Sequence, residues 1–433
     1  MQVDLVAKII SIVFSIMLLG NAVLIRRYVG TYLVPAGVFS LMWFLLTFIP
    51  LVFLFAVPIN PLAILIILLY AIVLSLTTIP FNWIKARRVN PKNIKNIFYG
   101  QQLKITNTIW ILLVLSFILI AIDVKLQGYQ YFDIITNLPY VSGDYASRRY
   151  DESLEYSIYS RLAGVFSLVA VSFSGILSVL RNNNSLRFIA FIPAIAIMLL
   201  QNSKGIFLNS IIYYFSSVFV GKIAINDISF TKVISFNKRV IPLSIFALLV
   251  VYTVLMRSSS DDINILTLIL YKFNTYVLAG IFAFSDWLSS YLYRESVMDY
   301  GIHSSIEYGF YTFMNIFRLV GDDRFIPQGT YDEYFYHQDY FITNIYTVFR
   351  GLILDFGLFG SMIFMMIAGF ITNLLTYFVI IEKKPVFSMV LLITALSTIL
   401  SSGLISLLSY NTTYISLFIM YIILRFLIMK KTV

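Results

Sequence analysis

The chain has no cysteine and only two histidines in 433 residues. Without cysteine no disulfide staples its loops and no thiol chemistry is open to it. There is no His/Cys cluster of metal-ligand spacing, no Walker A loop, no Gly-x-Ser-x-Gly and no acidic repeat suited to a divalent ion. The acidic pairs Asp261-Asp262 and Asp322-Asp323 stand alone and read as solvated turns. Neither a metal site nor a cofactor is therefore expected. A cleavable leader is missing too: the first apolar run has no basic n-region and no Ala-x-Ala-like site. Charge itself is scarce, at 12% of residues, where a soluble domain has about a quarter.

Apolar residues fill the space, at 60% of the chain with a mean hydropathy of +0.87. Long uninterrupted runs, rather than alternating segments of about ten residues, predict an all-α polytopic membrane protein and exclude an outer-membrane barrel. Eleven runs are expected to span, at 5–25, 31–55, 60–80, 105–124, 162–180, 188–202, 205–221, 240–256, 352–381, 386–406 and 408–428. The hairpin 188–202/205–221 is short for about 30 Å of hydrocarbon. The chain thus divides into helices 1–8 (residues 1–256), a large polar segment (257–350) and helices 9–11 (351–433).

Basic residues set the orientation. With the N-terminus outside and the C-terminus cytoplasmic, the inner segments hold 19 of the 31 basic residues and only Asp227 and Glu382 of the 21 acidic ones. The net charge of +10 is thus a topology signal with membrane lipids as its partner, and nucleic acid is not expected. The largest inner segment, Asn82 to Lys104, fits a loop lying against anionic headgroups.

Two polar segments fall on the outer side, 125–161 and 257–350. Arg148, Arg149 and Arg161 in the first oppose the positive-inside bias. They either bind phosphate oxygens bidentately or pair with Asp151, Glu152 and Glu155. Lys204, between two apolar runs, either snorkels to the interface or lines a polar cavity. The second segment carries eleven acidic residues, six Lys/Arg and both histidines. It opens at Arg257. Asn264, Thr267, Tyr271 and Asn274 share one face, so Ile263 to Trp287 reads as an amphipathic helix lying on or dipping into the membrane. Tyr331 to Phe341, Tyr336 included, has six aromatics in eleven residues. Such rings stack on sugar faces or form an interfacial belt. The segment ends in Asn344-Ile-Tyr346-Thr-Val-Phe-Arg350, followed by Asp355-Phe-Gly357-Leu-Phe-Gly360.

That last run resembles the motif of bacterial oligosaccharide repeat-unit polymerases, the O-antigen polymerase (Wzy-type) family, and it lies where that family has it. The resemblance implies a GT-C-like membrane glycosyltransferase of the bacterial inner membrane. Such an enzyme moves a growing glycan from one polyprenyl pyrophosphate to the non-reducing end of another lipid-linked repeat unit, without a metal. It implies an undecaprenyl-pyrophosphate-linked oligosaccharide as substrate and a chain-length regulator protein as a partner. By motif position Asn344, Tyr346, Arg350, Asp355 and Gly357 carry over. The expected catalytic group is Arg350, Asp355 and a base, either His337 or a nearby carboxylate. Arg148, Arg149, Arg161, Lys204, Arg257, Asn344, Tyr346 and Tyr336 are the expected substrate contacts. Gly357 and Gly360 are expected to allow close backbone approach. Two other classes stay open: a lipid-linked oligosaccharide flippase, against which the long loop and the lack of repeated halves argue, and an O-antigen ligase, which an essential loop histidine (His303 or His337) would serve.

Overall fold

The computed structural model describes residues 4–88, 92–150, 157–180, 185–226, 265–301, 306–324, 331–338 and 340–429, and the backbone alone at 92–95, 135, 149, 150 and 265. In chain order the helices are α1 Leu5–Val29, α2 Pro35–Phe53, α3 Pro61–Leu76, α4 Trp83–Arg88, α5 Lys92–Gly100, α6 Gln102–Leu126, α7 Tyr131–Thr136, α8 Leu138–Tyr150, α9 Ile158–Leu180, α10 Leu186–Ile189, α11 Ile192–Gln201 and α12 Gly205–Ala224. Then come α13 Ile265–Phe273, a π-helical turn Asn274–Leu278, α14 Gly280–Tyr293 and α15 Met314–Leu319. After them follow strands β1 Phe335–His337 and β2 Phe341–Thr343, then α16 Thr347–Ile381, α17 Val386–Ser401 and α18 Asn411–Met429.

The protein is a polytopic α-helical membrane protein; among the described residues seven helices are long and apolar enough to cross a bilayer, or eight if α13 and α14 count as one bent span. The expected count of eleven is not reached among them. Seven of the expected runs become α1, α2, α6, α9, α12, α16 and α18. Three more form apolar helices that are shorter, at Pro61–Leu76, Leu186–Gln201 and Val386–Ser401. The second of these is broken between α10 and α11. Residues 240–256 lie outside the described ones. The expected amphipathic helix 263–287 is described from residue 265 and is not one straight helix. It bends by 53° at its middle, and the first part of α14 is buried, with Phe282, Phe284 and Trp287 each 1% exposed or less, while Tyr291 and Tyr293 near its end are 38% and 57% exposed. The fold is not purely helical, because β1 and β2 form an antiparallel hairpin with Tyr336 opposite Ile342.

The contacts group the chain differently from its three consecutive segments, into two interleaved units. One comprises Met1–Ala86, Asn264–Tyr377 and Thr398–Tyr410; the other comprises Arg87–Ile263, Phe378–Ser397 and Asn411–Val433.

In the first unit α1, α2 and α3 pack on one another. Lipid is as apolar as leucine, so association inside a membrane rests on close packing and on interhelical hydrogen bonds. Both are present. Ser15 and Thr47 hydroxyls lie 2.7 Å apart, and Asn21 Nδ2 donates to Ser40 Oγ and Ser75 Oγ at 2.9 and 2.8 Å. Gly369 of α16 lets α3 approach so closely that a Cβ there would sit 2.7 Å from Thr77 Oγ1. Lys8 of α1, 1% exposed, donates to Leu54 O and Val57 O at 3.0 and 2.8 Å, holding the turn after α2. Phe349 is the centre of the aromatic core, 4.7 Å from Trp43, 5.0 Å from Tyr70 and 5.9 Å from Phe284 between ring centroids.

In the second unit α9 is central, packed by α6, α12 and α18. Its Ser and Gly residues admit neighbours: a Cβ at Gly175 would lie 2.7 Å from Tyr214 O on α12.

α16 is two helices joined at Gly357, whose φ of 68° and ψ of 176° belong to backbone space open almost only to glycine. No atom lies within 4 Å of a Cβ built there. Gly357 is thus required for its dihedrals, and the expected close approach is corrected. At Gly360 the crowding is local, a Cβ falling 3.1 Å from Phe356 Cβ. Gly357→Ala should destabilise the detergent-solubilised protein by about 1–3 kcal/mol in thermal unfolding. Gly20→Ala in the middle of α1, where nothing crowds a Cβ, should be neutral or stabilising by up to about 1 kcal/mol. Equal midpoints for the two variants would contradict the assignment of strain to Gly357.

Candidate functional site: a guanidinium sealed in an aromatic box

The site is built on the first ten residues of α16. Their start is strained: Thr347, β-branched and 3% exposed, has φ of +66°, a genuine outlier for such a residue. Val348 N–H, donating to Ser402 O at 2.9 Å, and Thr347 Oγ1, accepting from Phe349 N–H at 3.3 Å, hold it. This geometry turns Phe349 into the aromatic core and Arg350, on the next position, into a separate box.

Arg350 is 1% exposed. Its guanidinium carbon lies 4.0 Å from the Tyr331 ring centre, 4.3 Å from Tyr346, and 5.5 Å from both Trp287 and Tyr300. Nη2 donates to both carboxylate oxygens of Glu333 at 3.0 Å. Nε and Nη1 are buried and have no hydrogen-bond partner among the described residues. Rings offset part of that loss, a desolvated cation–π contact contributing on the order of 2 kcal/mol, yet the fork keeps unspent donor capacity.

The box is itself braced. Tyr346 Oη donates to the Glu333 carbonyl at 3.1 Å, and its ring meets Tyr300 edge-on at 5.9 Å between centroids. Tyr300 Oη donates to Asp286 Oδ2 at 2.9 Å, and Asp286 also accepts from Val297 N–H and Met298 N–H at 2.9 and 3.3 Å. Tyr331 stacks on Tyr311 at 5.6 Å. Gly351 makes room for both, since a Cβ there would meet Tyr311 Cβ at 3.1 Å and Tyr331 Oη at 3.3 Å. Burial, the largest cause, pushes the Tyr346 phenol up to about 12 and the Tyr300 and Tyr331 phenols well above their usual range. All three are neutral at pH 7, so Glu333 is the anion in contact with Arg350.

Asp355, 0% exposed, accepts from Tyr311 N–H at 2.9 Å and from Thr312 N–H and Oγ1–H at 2.7 and 2.6 Å. These are the bonds of an anchor that pins the segment before α15 onto α16, aided by Glu307 N–H donating to Leu354 O at 3.0 Å. They hold the loop onto the helix, and the carboxylate bonds neither Arg350 nor His337 among the described residues.

His337 ends β1, its ring 6.0 Å from Tyr340 and 6.5 Å from Phe341. Burial and then nearby positive charge, Lys8 included, hold its imidazole below the ordinary value. Tyr336, on the outward side of the hairpin, is 54% exposed, as are Tyr334 (53%) and Tyr340 (41%). Asn344 is half-buried in the link from β2 to α16. The Tyr331–Phe341 run therefore splits: Tyr331 serves the guanidinium, Phe335 and Phe341 bury, and three tyrosines face out.

The remaining expected contacts belong to the second unit. Arg148 of α8 donates to Gln127 O and Oε1 at 3.3 and 3.0 Å and to Tyr129 Oη at 3.5 Å, and forms an ion pair with Asp144 at 3.9 Å. Its recorded carboxylate is thus Asp144; Asp151, Glu152 and Glu155 lie outside the described residues, as do Arg257 and His303. Arg149 is in α8 without a described side chain. Arg161 is exposed near the start of α9, and Lys204 is half-buried just before α12. Among the described residues no three His, Asp or Glu side chains are grouped to hold a metal ion. Comparison with protein-family models, curated proteins and solved structures finds no match in any of the three.

Sequence reasoning selected Arg350 and Tyr346 but missed Glu333, Trp287, Tyr300 and Gly351. Glu333 sits inside the aromatic run already singled out, where a lone carboxylate among tyrosines was the available signal. Trp287 and Tyr300 carry none, being brought in by the bend after α13 and the Asp286 bonds.

Glu333→Ala should strand the guanidinium and cost about 3 kcal/mol, somewhat below the upper end for buried pairs because Glu333 is 24% exposed. The Glu333→Ala/Arg350→Met double variant should recover part of that loss, and melting midpoints in detergent read both. For His337 the sign is set by a folded-state value below the unfolded one. Protonation as pH falls through about 6.5 favours the unfolded hairpin, so amide protection factors over residues 335–343, corrected for the intrinsic pH dependence of exchange, should fall from pH 8 to pH 5.5. His337→Gln should abolish that pH dependence.

Proposed function

We propose that the chain is a GT-C-like polymerase of lipid-linked oligosaccharide repeat units. It transfers a growing glycan from polyprenyl pyrophosphate to the non-reducing end of a second lipid-linked unit on the outer face of the bacterial inner membrane. The acceptor hydroxyl attacks the anomeric carbon of the donor sugar. The bond from that carbon to the pyrophosphate oxygen breaks, and polyprenyl pyrophosphate leaves with the electron pair. The hydroxyl proton passes to a base, His337 or a neighbouring carboxylate.

One observation carries this reading: a fully buried guanidinium whose Nε and Nη1 have no partner among the described residues, in the first turn of the helix that follows Asn344 and holds the rest of the motif. Preorganised donors aimed at a developing anion are the largest single source of catalysis in such displacements. A planar fork suits pyrophosphate oxygens. His337, held neutral, has the state a base needs. Exposed Tyr334, Tyr336 and Tyr340 offer faces for sugar rings. Arg148 is the candidate of the second unit for the other lipid diphosphate.

Arg350→Lys keeps the charge but loses the fork. At wild-type membrane abundance it should lower polymer yield by about 10²-fold, with single repeat units accumulating on the surface lipid. Deleting the gene should leave those single units as well. Loss of all surface glycan would point to a flippase or ligase, and normal long-chain glycan from Arg350→Lys would sink the mechanism.

A further inference from the structure

α15 lies in the 257–350 segment, which sequence reasoning treats as polar. It nevertheless presents an apolar edge: Ile316, Leu319 and Val320, at helical spacing i, i+3 and i+4, are 44%, 79% and 78% exposed. Buried Met314 is on another side, and Asn315 Nδ2 donates to Ser409 O. A water-facing segment this short has no reason to display three large aliphatic residues together.

One mark fixes its level, Gly357. At 35 residues α16 is about 52 Å long, far more than about 30 Å of hydrocarbon requires. The portion after Gly357 is about 36 Å and suffices alone, so the break marks the membrane boundary. Phe313, just before α15, packs edge-on against Phe364 beyond that break, at 6.1 Å, and Phe364 stacks on Phe356 at 5.1 Å. α15 thus sits beside the end of a candidate span. Beyond the same break α16 exposes an apolar stripe of its own, with Phe359 77%, Ile363 39% and Met366 50% exposed.

We propose that α15 is seated in the headgroup-to-acyl boundary of the bilayer, with Ile316, Leu319 and Val320 in contact with lipid. Arg318, exposed on the same short helix, reaches back to the headgroups as long basic side chains do at this depth. The occupant of the edge is the bilayer rather than a protein because Phe313, one residue before α15, packs against Phe364 in the part of α16 that is long enough to span. The Asp355–Thr312 bonds then tie the membrane surface directly to the helix that carries Arg350. This inference does not depend on the reaction proposed above.

The absence of cysteine makes the test clean. Leu319→Cys and Val320→Cys, each the sole thiol of the full chain, are labelled with an environment-sensitive fluorophore and reconstituted in phosphatidylcholine/phosphatidylglycerol vesicles. Asp323→Cys, on an exposed residue just beyond the segment, is the aqueous reference. The expected result is blue-shifted emission at 319 and 320, several-fold weaker quenching by iodide than at 323, and strong quenching by lipids bearing a shallow nitroxide. Iodide quenching equal to that at 323 would overturn the proposal. So would shielding from iodide without quenching by nitroxide lipid, which would mean that protein, a partner or a second copy, covers the edge.

Discussion

A guanidinium withdrawn from water has to be compensated on every side, and at Arg350 the compensation organises the surrounding unit. Four aromatic rings and one carboxylate surround it, and each is delivered by a different stretch: Trp287 by α14, Tyr300 by the following loop, Tyr331 and Glu333 by the segment before β1, Tyr346 by the turn into α16. The polar segment is therefore not a domain standing apart from the membrane helices. It folds back onto them, because its most demanding charge is buried against them. The strain at Thr347 belongs to the same constraint, since it is the price of aiming Phe349 and Arg350 in different directions within one turn.

An ion pair with a single carboxylate does not saturate this fork. A merely structural arginine is better served by carbonyls or a second carboxylate, and buried pairs as such add little to stability. Leaving Nε and Nη1 without partners is costly, and costs of this kind are found where an anion is received. Tyr331 and Glu333 lie between the fork and the outside, Glu333 being 24% exposed. A diphosphate reaching Arg350 would displace Glu333 from Nη2, exchanging one anion for another without leaving the charge bare.

What could be read in the sequence followed from local or one-dimensional properties. Hydropathy gave the membrane class and seven of the spans, since each needs only an uninterrupted run. Arg350, Tyr346, Asp355 and Gly357 were found because they lie in one short motif. The failures share a cause in tertiary contact. Nothing in the Ile263–Trp287 pattern tells that the first part of α14 is buried, so its polar and apolar spacing read as a surface helix. The anchoring bonds of Asp355 were not legible because its three donors come from residues more than forty positions away. The glycine in Arg350-Gly351 seemed incidental until Tyr311 and Tyr331 were seen to need its missing side chain.

The break at Gly357 gives these parts a common scale. Arg350 precedes it by seven residues, about 10 Å along the helix. The polar layer of a bilayer extends roughly 5–7 Å beyond the hydrocarbon on each side. With the helix leaving the membrane at Gly357, the backbone of Arg350 stands at most about 10 Å from the boundary, and nearer where the break turns the axis toward the membrane surface. A longer uninterrupted helix would carry the arginine out along the same axis. The glycine dihedrals redirect the chain at the boundary instead, so the box can lie over the membrane surface while Asp355, two residues before the break, fastens the α15 segment beside it. Helix length and the position of one glycine thus together limit how far from the membrane boundary the fork can lie.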